Sequence, residues 1–263
     1  MRLKERIRTQ IRDPHTKRGY VQELFSGIAP RYDLTNDVMS LGLHRRWKRK
    51  ILQLAGLRAD HVLLDLAAGT GDLALGAAAA RRKGLRPEAD RDPPRGRGLV
   101  VAGDLTAEMM RVGRRRRGAA AVEWLACDAA ALPFRDASVD RVLIGYGLRN
   151  FSNLAACLAE IRRCLRPGGR LVTLDFGRPP YRTLRRAYLG YLELSTRIVG
   201  WLLHRNPEAY LYIPESLRQF AGQEGVTESM CRLGFVRCGY LELLWGAMAV
   251  NFGEVPPAEP RPH

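Results

Sequence analysis

The chain has 263 residues, 46% of them hydrophobic, enough for one large core, and its 43 Lys+Arg against 27 Asp+Glu leave a net charge of +16. The longest charge-free stretch, residues 243–253, falls far short of the ~20 apolar residues that cross a bilayer, so a membrane-spanning helix is not expected. The opening MRLKERIRTQIRDPHTKR has no apolar run of the kind a secretory signal carries, and the expected location is cytoplasmic.

Residues 1–18 read as a basic N-terminal arm. A helical preface follows over residues 19–56. From residue 60, short apolar runs alternate with helix-period segments. Strands are expected at 61–66, 98–103, 122–127, 139–146 and 170–176, with helices at 71–82, 106–117 and 153–165. Runs apolar on both faces and separated by helices imply a parallel sheet covered on both sides, an α/β Rossmann-like fold. Residues 81–98 (RRKGLRPEADRDPPRGRG) hold too few apolar side chains to offset their ordering entropy and read as a disordered insertion. The stretch 184–204 is amphipathic and fits either a pocket lid or a long core helix. Apolar runs at 235–241 and 246–252 are close enough for an antiparallel edge pair, leaving 254–263 as a tail.

Cys127, Cys157, Cys164, Cys231 and Cys238 show no C-x-x-C spacing and read as buried thiols, and the five histidines form no ligand motif, so no metal is expected. Positive charge concentrates at 1–18, 81–98, and Arg111 with Arg114–Arg117. Solvated faces explain such stretches, as does peripheral contact with an anionic membrane. No nucleic-acid-binding motif accompanies them, so no nucleic-acid partner is expected.

Chemistry concentrates in VLLDLAAGTGDL, a buried strand running through Gly69-Thr70-Gly71 into a helix. Glycines let the backbone approach a ligand, and a helix start offers free N–H groups. The letters admit the dinucleotide fingerprint G-x-G-x-x-A as well as the D-x-x-x-G-x-G pattern, begun by Asp65, of loops that bind S-adenosylmethionine (SAM). Asp72 weighs against a dinucleotide, because its carboxylate stands where a pyrophosphate would sit. Asp104 ends the second strand, where an acid can accept ribose hydroxyls. Asp128 ends the third, where it can accept an adenine amino proton.

The segments FSGIAPRYDLTNDVMSLGLHRRWKR, LDLAAGTGDLA, DAAALPF, IGYGLRNFSN, LRPGGRLVTLDF and YLYIPESLRQFAG resemble the ubiquinone/menaquinone biosynthesis C-methyltransferases. RYDLTND and GLRN are the most specific pieces. The resemblance runs from Tyr20 to Gly253 and implies a SAM-dependent methyltransferase domain over 19–253, with a seven-stranded sheet whose last strand is antiparallel. It implies SAM as methyl donor, contacts at Thr70, Asp104, Asp128 and Ala129, and a prenylated quinol as substrate, with demethylmenaquinol the first choice. Departures are Ala67-Ala68 where the family often has glycines, Asp128 where it often has Asn, and Gly145 in place of Ser or Thr.

Carbon methylation of a quinol needs a ring hydroxyl to lose its proton. Arg149 is the natural cation for the phenolate, Asn150 can orient the ring oxygen, and Tyr32 and Asp72 are candidates for a proton relay. His44 is a weaker candidate, reading better as a surface or packing residue. Against this enzyme stand an RNA methyltransferase, motivated by the charge, and a SAM-binding scaffold without catalysis. Oligomeric state has no sequence signal.

Overall fold

The computed structural model describes residues 3–40, 42–83, 98–200 and 207–258. Seven strands form one sheet: β1 (Val62–Leu66), β2 (Leu99–Asp104), β3 (Glu123–Ala126), β4 (Val139–Gly145), β5 (Leu165–Phe176), β6 (Val236–Leu243) and β7 (Met248–Glu254). Their order is β3-β2-β1-β4-β5-β7-β6. β3, β2, β1, β4 and β5 run parallel to one another in that order. β7 is antiparallel to both β5 and β6. The late apolar runs therefore do pair antiparallel, but β7 lies inside the sheet and only β6 is an edge.

The strand pattern explains the two layers. Along β1 and β4, Leu64, Leu66, Val142 and Ile144 face a core completed by Cys157, Leu158 and Ile161 of α7 (Leu154–Cys164) and Met230 of α10 (Gly222–Arg232). Their neighbours Leu63 and Leu143 face the opposite core, under Ile51 of α4 (Leu43–Leu54) and Leu73, Ala74 and Ala77 of α5 (Asp72–Arg82). Period-2 alternation between two apolar layers makes each strand read as a continuous apolar run. α6 (Ala107–Arg114) follows β2. Asn153 starts α7 by accepting the Ala156 N–H at 3.0 Å, the N-cap role for which Asn is favoured.

The helical preface comprises α2 (Pro14–Ile28), α3 (Tyr32–Ser40) and α4, and α8 (Arg182–Val199) and α9 (Pro207–Gln219) lie beside it. Residues 1–18 are not a free arm: residues 3–12 form α1 (Leu3–Arg12), whose Ile7 and Ile11, one turn apart, pack on Leu211 and Tyr212 of α9. Arg8 Nε donates to the buried Glu215 carboxylate at 2.7 Å. Two isoleucines among charges are a weak apolar signal, and their partner lies far along the chain. Most of the basic insertion, residues 84–97, is outside the described residues.

Cys127, Cys157 and Cys164 are buried as expected, whereas Cys231 is exposed and Cys238 half-buried. Among the described residues no helix is long and apolar enough to cross a membrane.

Candidate active site

The carboxyl ends of β1 to β4 border a cleft of about 800 Å³ whose other wall is α2 with Tyr32 of α3. Gly69, Asp104, Asp128 and Ala129 all line it. Gly69 has φ +58, and a Cβ there would stand 3.1 Å from Met109 Cε, so the loop needs glycine. Asp104 accepts the Gly69 N–H through Oδ2 and the Thr106 N–H through Oδ1, both at 2.7 Å. Burial raises its pKa, and these two N–H bonds oppose the rise. Asp128 accepts the Ala130 N–H at 2.9 Å and pairs with Arg18 at 3.0 Å.

Three residues read as cofactor contacts do not line the cleft. Asp65 faces the α5 layer, fully buried, and accepts the Ala74 N–H at 2.8 Å; burial lifts its carboxyl to about 7. Thr70 donates to Asp33 Oδ1 at 2.6 Å, and a Cβ on Gly71 would collide with the Trp124 ring at 2.4 Å. They shape the loop from behind. Asp72, a candidate proton relay, pairs with Lys48 and Arg116, each at 2.5 Å. Burial alone would raise its pKa, but the two cations outweigh that and hold it at about 2, so it stays ionised near neutrality.

A second cavity, about 1180 Å³, lies among α2, α3, α4, α8, α9 and the β6–β7 turn. Leu24, Ile28, Met39, Trp47, Phe176 and Leu192 give it a predominantly apolar wall. Phe25, Tyr32 and Tyr146 line both cavities and so form the partition where they meet. Ala67 (φ 55) and Tyr146 (φ 64) hold left-handed conformations at the strand ends there, which for a non-glycine residue is strain of the kind concentrated at functional sites. For Ala67 this accounts for the glycine that the resembled family often carries.

Arg149 lines the second cavity from the 3-10 turn Leu148–Asn150. Its Nη1 donates to Asp175 Oδ1 at 2.7 Å and to the Tyr146 carbonyl at 2.8 Å, and its guanidinium stands 4.8 Å from the Phe176 ring centroid. It is thus half of a buried ion pair instead of a lone cation, but its buried Nε has no hydrogen-bond partner among the described residues. Asn150 lines the first cleft; its Oδ1 accepts from Tyr212 at 2.9 Å and its Nδ2 donates to Tyr146 O at 3.3 Å. These bonds brace Tyr146 and leave the second N–H of the amide unassigned. Tyr32 is half-buried, and its loss of hydration raises its phenol above the usual value, leaving it a hydrogen-bond donor near neutrality.

Sequence reasoning missed three contributors. Asp175 is a further acid at a strand end, Tyr212 sits in the motif YLYIPE, and Lys17, from the supposed arm, donates to the carbonyls of Arg149 and Phe151 at 2.8 and 2.7 Å. Burial, then the neighbouring Arg149, lowers Lys17 to about 8. His44 is neither a surface nor a simple packing residue: it lines the second cavity, its Nδ1 2.8 Å from Ser40 Oγ and its Nε2 3.6 Å from Asp37. Burial, with Lys48 nearby, lowers its pKa, so the imidazole is neutral at pH 7. Among the described residues no group of three His, Cys, Asp or Glu side chains is placed to hold a metal ion.

The fold is shared with solved methyltransferases. A SAM-dependent methyltransferase from Thermotoga maritima superposes with a TM-score of 0.59 at 18% identity, covering 89% of this chain and 99% of that one. An N-methyltransferase of Haemonchus contortus, solved with phosphomonomethylethanolamine and S-adenosylhomocysteine, gives 0.55 at 16% identity over 81% and 53% of the two chains. Sequence likeness is closer. The ubiquinone/menaquinone biosynthesis C-methyltransferase UbiE of Methylococcus capsulatus is 39% identical over 243 residues, 91% of this chain and 93% of that protein. UbiE of Acidiphilium cryptum is 39% identical over 241 residues, 90% and 91% of the two. A model of the ubiE/COQ5 methyltransferase family matches residues 13–254, taking in both cavities and the partition between them, and the chain belongs to that family.

Proposed function

We propose that this protein methylates a ring carbon of a prenylated quinol in menaquinone or ubiquinone biosynthesis, with SAM as methyl donor and demethylmenaquinol as the preferred acceptor. The observation that carries the reading is the pair of cavities sharing Phe25, Tyr32 and Tyr146: a cleft at the strand ends that holds the Asp104 and Asp128 carboxylates abuts a larger, more apolar one. The breadth and aromatic lining of the second cavity favour a fused naphthoquinol ring.

The first cleft fits SAM. Gly69 holds a left-handed φ of +58 that lets its backbone border the cleft, and the Asp104 carboxylate keeps lone pairs beyond its two N–H bonds for ribose hydroxyls. Asp128 and Ala129 lie where an adenine ring would be held. When bound, SAM supplies an electrophilic methyl group. The chain's part is to hold the acceptor ring at the partition and manage its protons. Neutral His44 takes the proton from the ring hydroxyl, and the unpaired Nε–H of Arg149 stabilises the resulting phenolate. The ring proton at the newly methylated carbon leaves last, to water, and His44 returns the hydroxyl proton to the oxygen, restoring the aromatic quinol with one proton released.

Transfer of labelled methyl from SAM to demethylmenaquinol and to a benzoquinol precursor, with a reductant present, tests this. Methylation of the naphthoquinol, and none of its oxidised quinone, is expected. Methylation of RNA with neither quinol turned over would overturn it.

A further inference from the structure

The fold leaves an apolar surface uncovered at the mouth of the second cavity. Tyr191, Leu194 and Ile198, spaced i, i+3 and i+7, make an exposed stripe on α8, with Leu194 62% accessible. Leu34 and Val38, one turn apart, do the same on α3, which packs beside α8. Leu43, Tyr191 and Leu244 are exposed and also line the cavity, so surface and mouth are continuous.

The β6–β7 turn adds the most pointed feature. Leu244 (φ 51) and Trp245 (φ 52) both adopt the left-handed conformation that hairpin turns normally assign to Asn, Asp or Gly. The strained turn holds Trp245 81% exposed. It is braced from behind, where Tyr188 Oη donates to the Ala247 carbonyl at 2.8 Å. Strain that keeps a tryptophan in water serves no packing purpose.

The surrounding charge is mostly positive, the exposed Glu242 at the start of the turn accepting from Gln223 Nε2 at 2.7 Å. Arg182, Arg186 and Arg197 are exposed on the flank of the α8 stripe, and Arg46 follows Leu43 by one turn; none has an ion pair among the described residues. The neighbouring acids are engaged, Glu193 by Lys4 and Arg218 and Asp37 by Arg45. An apolar centre with Trp and Tyr, bordered by arginines, is the chemistry of an interfacial membrane contact.

We propose that this face, and not the basic stretches at 1–18, 81–98 and 111–117, docks on an anionic lipid bilayer and opens the second cavity into it. The prenylated ring then enters from the lipid while its tail stays among the acyl chains. The route of entry rests on the proposed function; the docking does not.

Cosedimentation with phosphatidylcholine vesicles, with and without phosphatidylglycerol, tests the face. Trp245→Glu, and Leu194→Glu with Ile198→Glu, should each weaken binding to the anionic vesicles at least about tenfold, whereas Arg115→Glu with Arg117→Glu should change it less than about threefold. The face variants should keep wild-type turnover on a short-tailed soluble quinol and lose it on a long-tailed quinol held in vesicles. Wild-type vesicle binding by the face variants, or loss confined to the Arg115/Arg117 variant, would overturn the proposal. So would a wild-type dimer in sedimentation that the face variants turn into monomers without altered vesicle binding, since a second copy would then occupy the face. Vesicle binding that responds to the face variants in a protein that methylates no quinol would leave the docking standing and remove the proposed function.

Discussion

The Arg149 guanidinium, in the wall of the apolar cavity, and the Asp175 carboxylate lie 2.7 Å apart, both nearly inaccessible to solvent. Removing one member of a buried pair strands the other, at roughly 3–5 kcal/mol, whereas replacing both by apolar groups is often nearly neutral. Arg149→Leu and Asp175→Leu should therefore each lower unfolding free energy by about that amount, and the double variant should recover most of it. Turnover should not recover: it should stay at least about 100-fold down in the double variant, because the N–H donors at the ring oxygen are gone. Denaturant melts alongside labelled methyl transfer separate the two effects; a double variant with wild-type turnover would remove Arg149 from the chemistry.

Asp104 and Asp65 should part company in calorimetry. Asp104→Ala takes a charged acceptor from the cleft and should weaken SAM binding by roughly 1–3 kcal/mol. Asp65→Asn keeps an oxygen for the Ala74 N–H and should change affinity less than about threefold. Its signature is in stability: because the folded pKa of about 7 stands above the ordinary 3.8, stability is lost as pH rises through 7. The loss accrues between about pH 4 and 7, so the Asn variant should outlast wild type at neutral and alkaline pH and match it only below about pH 4. A large loss of SAM affinity in Asp65→Asn would place that side chain in the binding site after all.

If His44 takes the hydroxyl proton, it must be neutral to work. Its lowered pKa puts the acid limb of the turnover profile below pH 6.5, with activity falling as the imidazole protonates. His44→Gln should lower turnover by about 100-fold or more and abolish that limb, leaving a rate that climbs with pH as the substrate ionises unaided. An unchanged profile would exclude His44 as the base.

Asp72 makes the opposite kind of prediction. Its folded pKa of about 2 lies below the ordinary 3.8, so its stabilisation is present above about pH 4 and disappears as pH falls toward 2. Asp72→Asn should lose about 2 kcal/mol at neutral pH and nothing in strong acid, with methyl transfer per folded molecule little changed. Loss of turnover without loss of stability would show it to be a proton carrier.

The sheet was legible because its strands are apolar on both faces, so β1, β2, β4 and β5 announce themselves without knowledge of their partners. Side-chain direction was less so. The acids at strand ends all looked alike in sequence, yet Asp104 and Asp128 point into the cleft while Asp65 points under α5. A strand's period-2 alternation already separates Asp65 from Leu64 and Leu66, and that signal was available. The bracing contacts were not: Tyr212 to Asn150 and Lys17 to the Arg149 carbonyl join segments far apart in sequence, with no local pattern to betray them.

The seating of α1 on α9 has a consequence for biosynthesis. Ile7 and Ile11 share a cluster with Tyr20, Val21 and Leu24 of the adjoining α2, but the buried part of their cover, Leu211 and Tyr212, comes from α9. At roughly 5–20 residues per second, the ribosome needs on the order of 10–40 s to make the intervening chain. For that interval the nascent polypeptide carries a basic helix whose isoleucine stripe lacks its α9 cover, free to engage a chaperone or the ribosome's own RNA. Completion of α9 is thus the event that retires it, and truncation before residue 207 should yield a product that stays ribosome-associated or aggregates even though the sheet strands β1 to β5 have all been made.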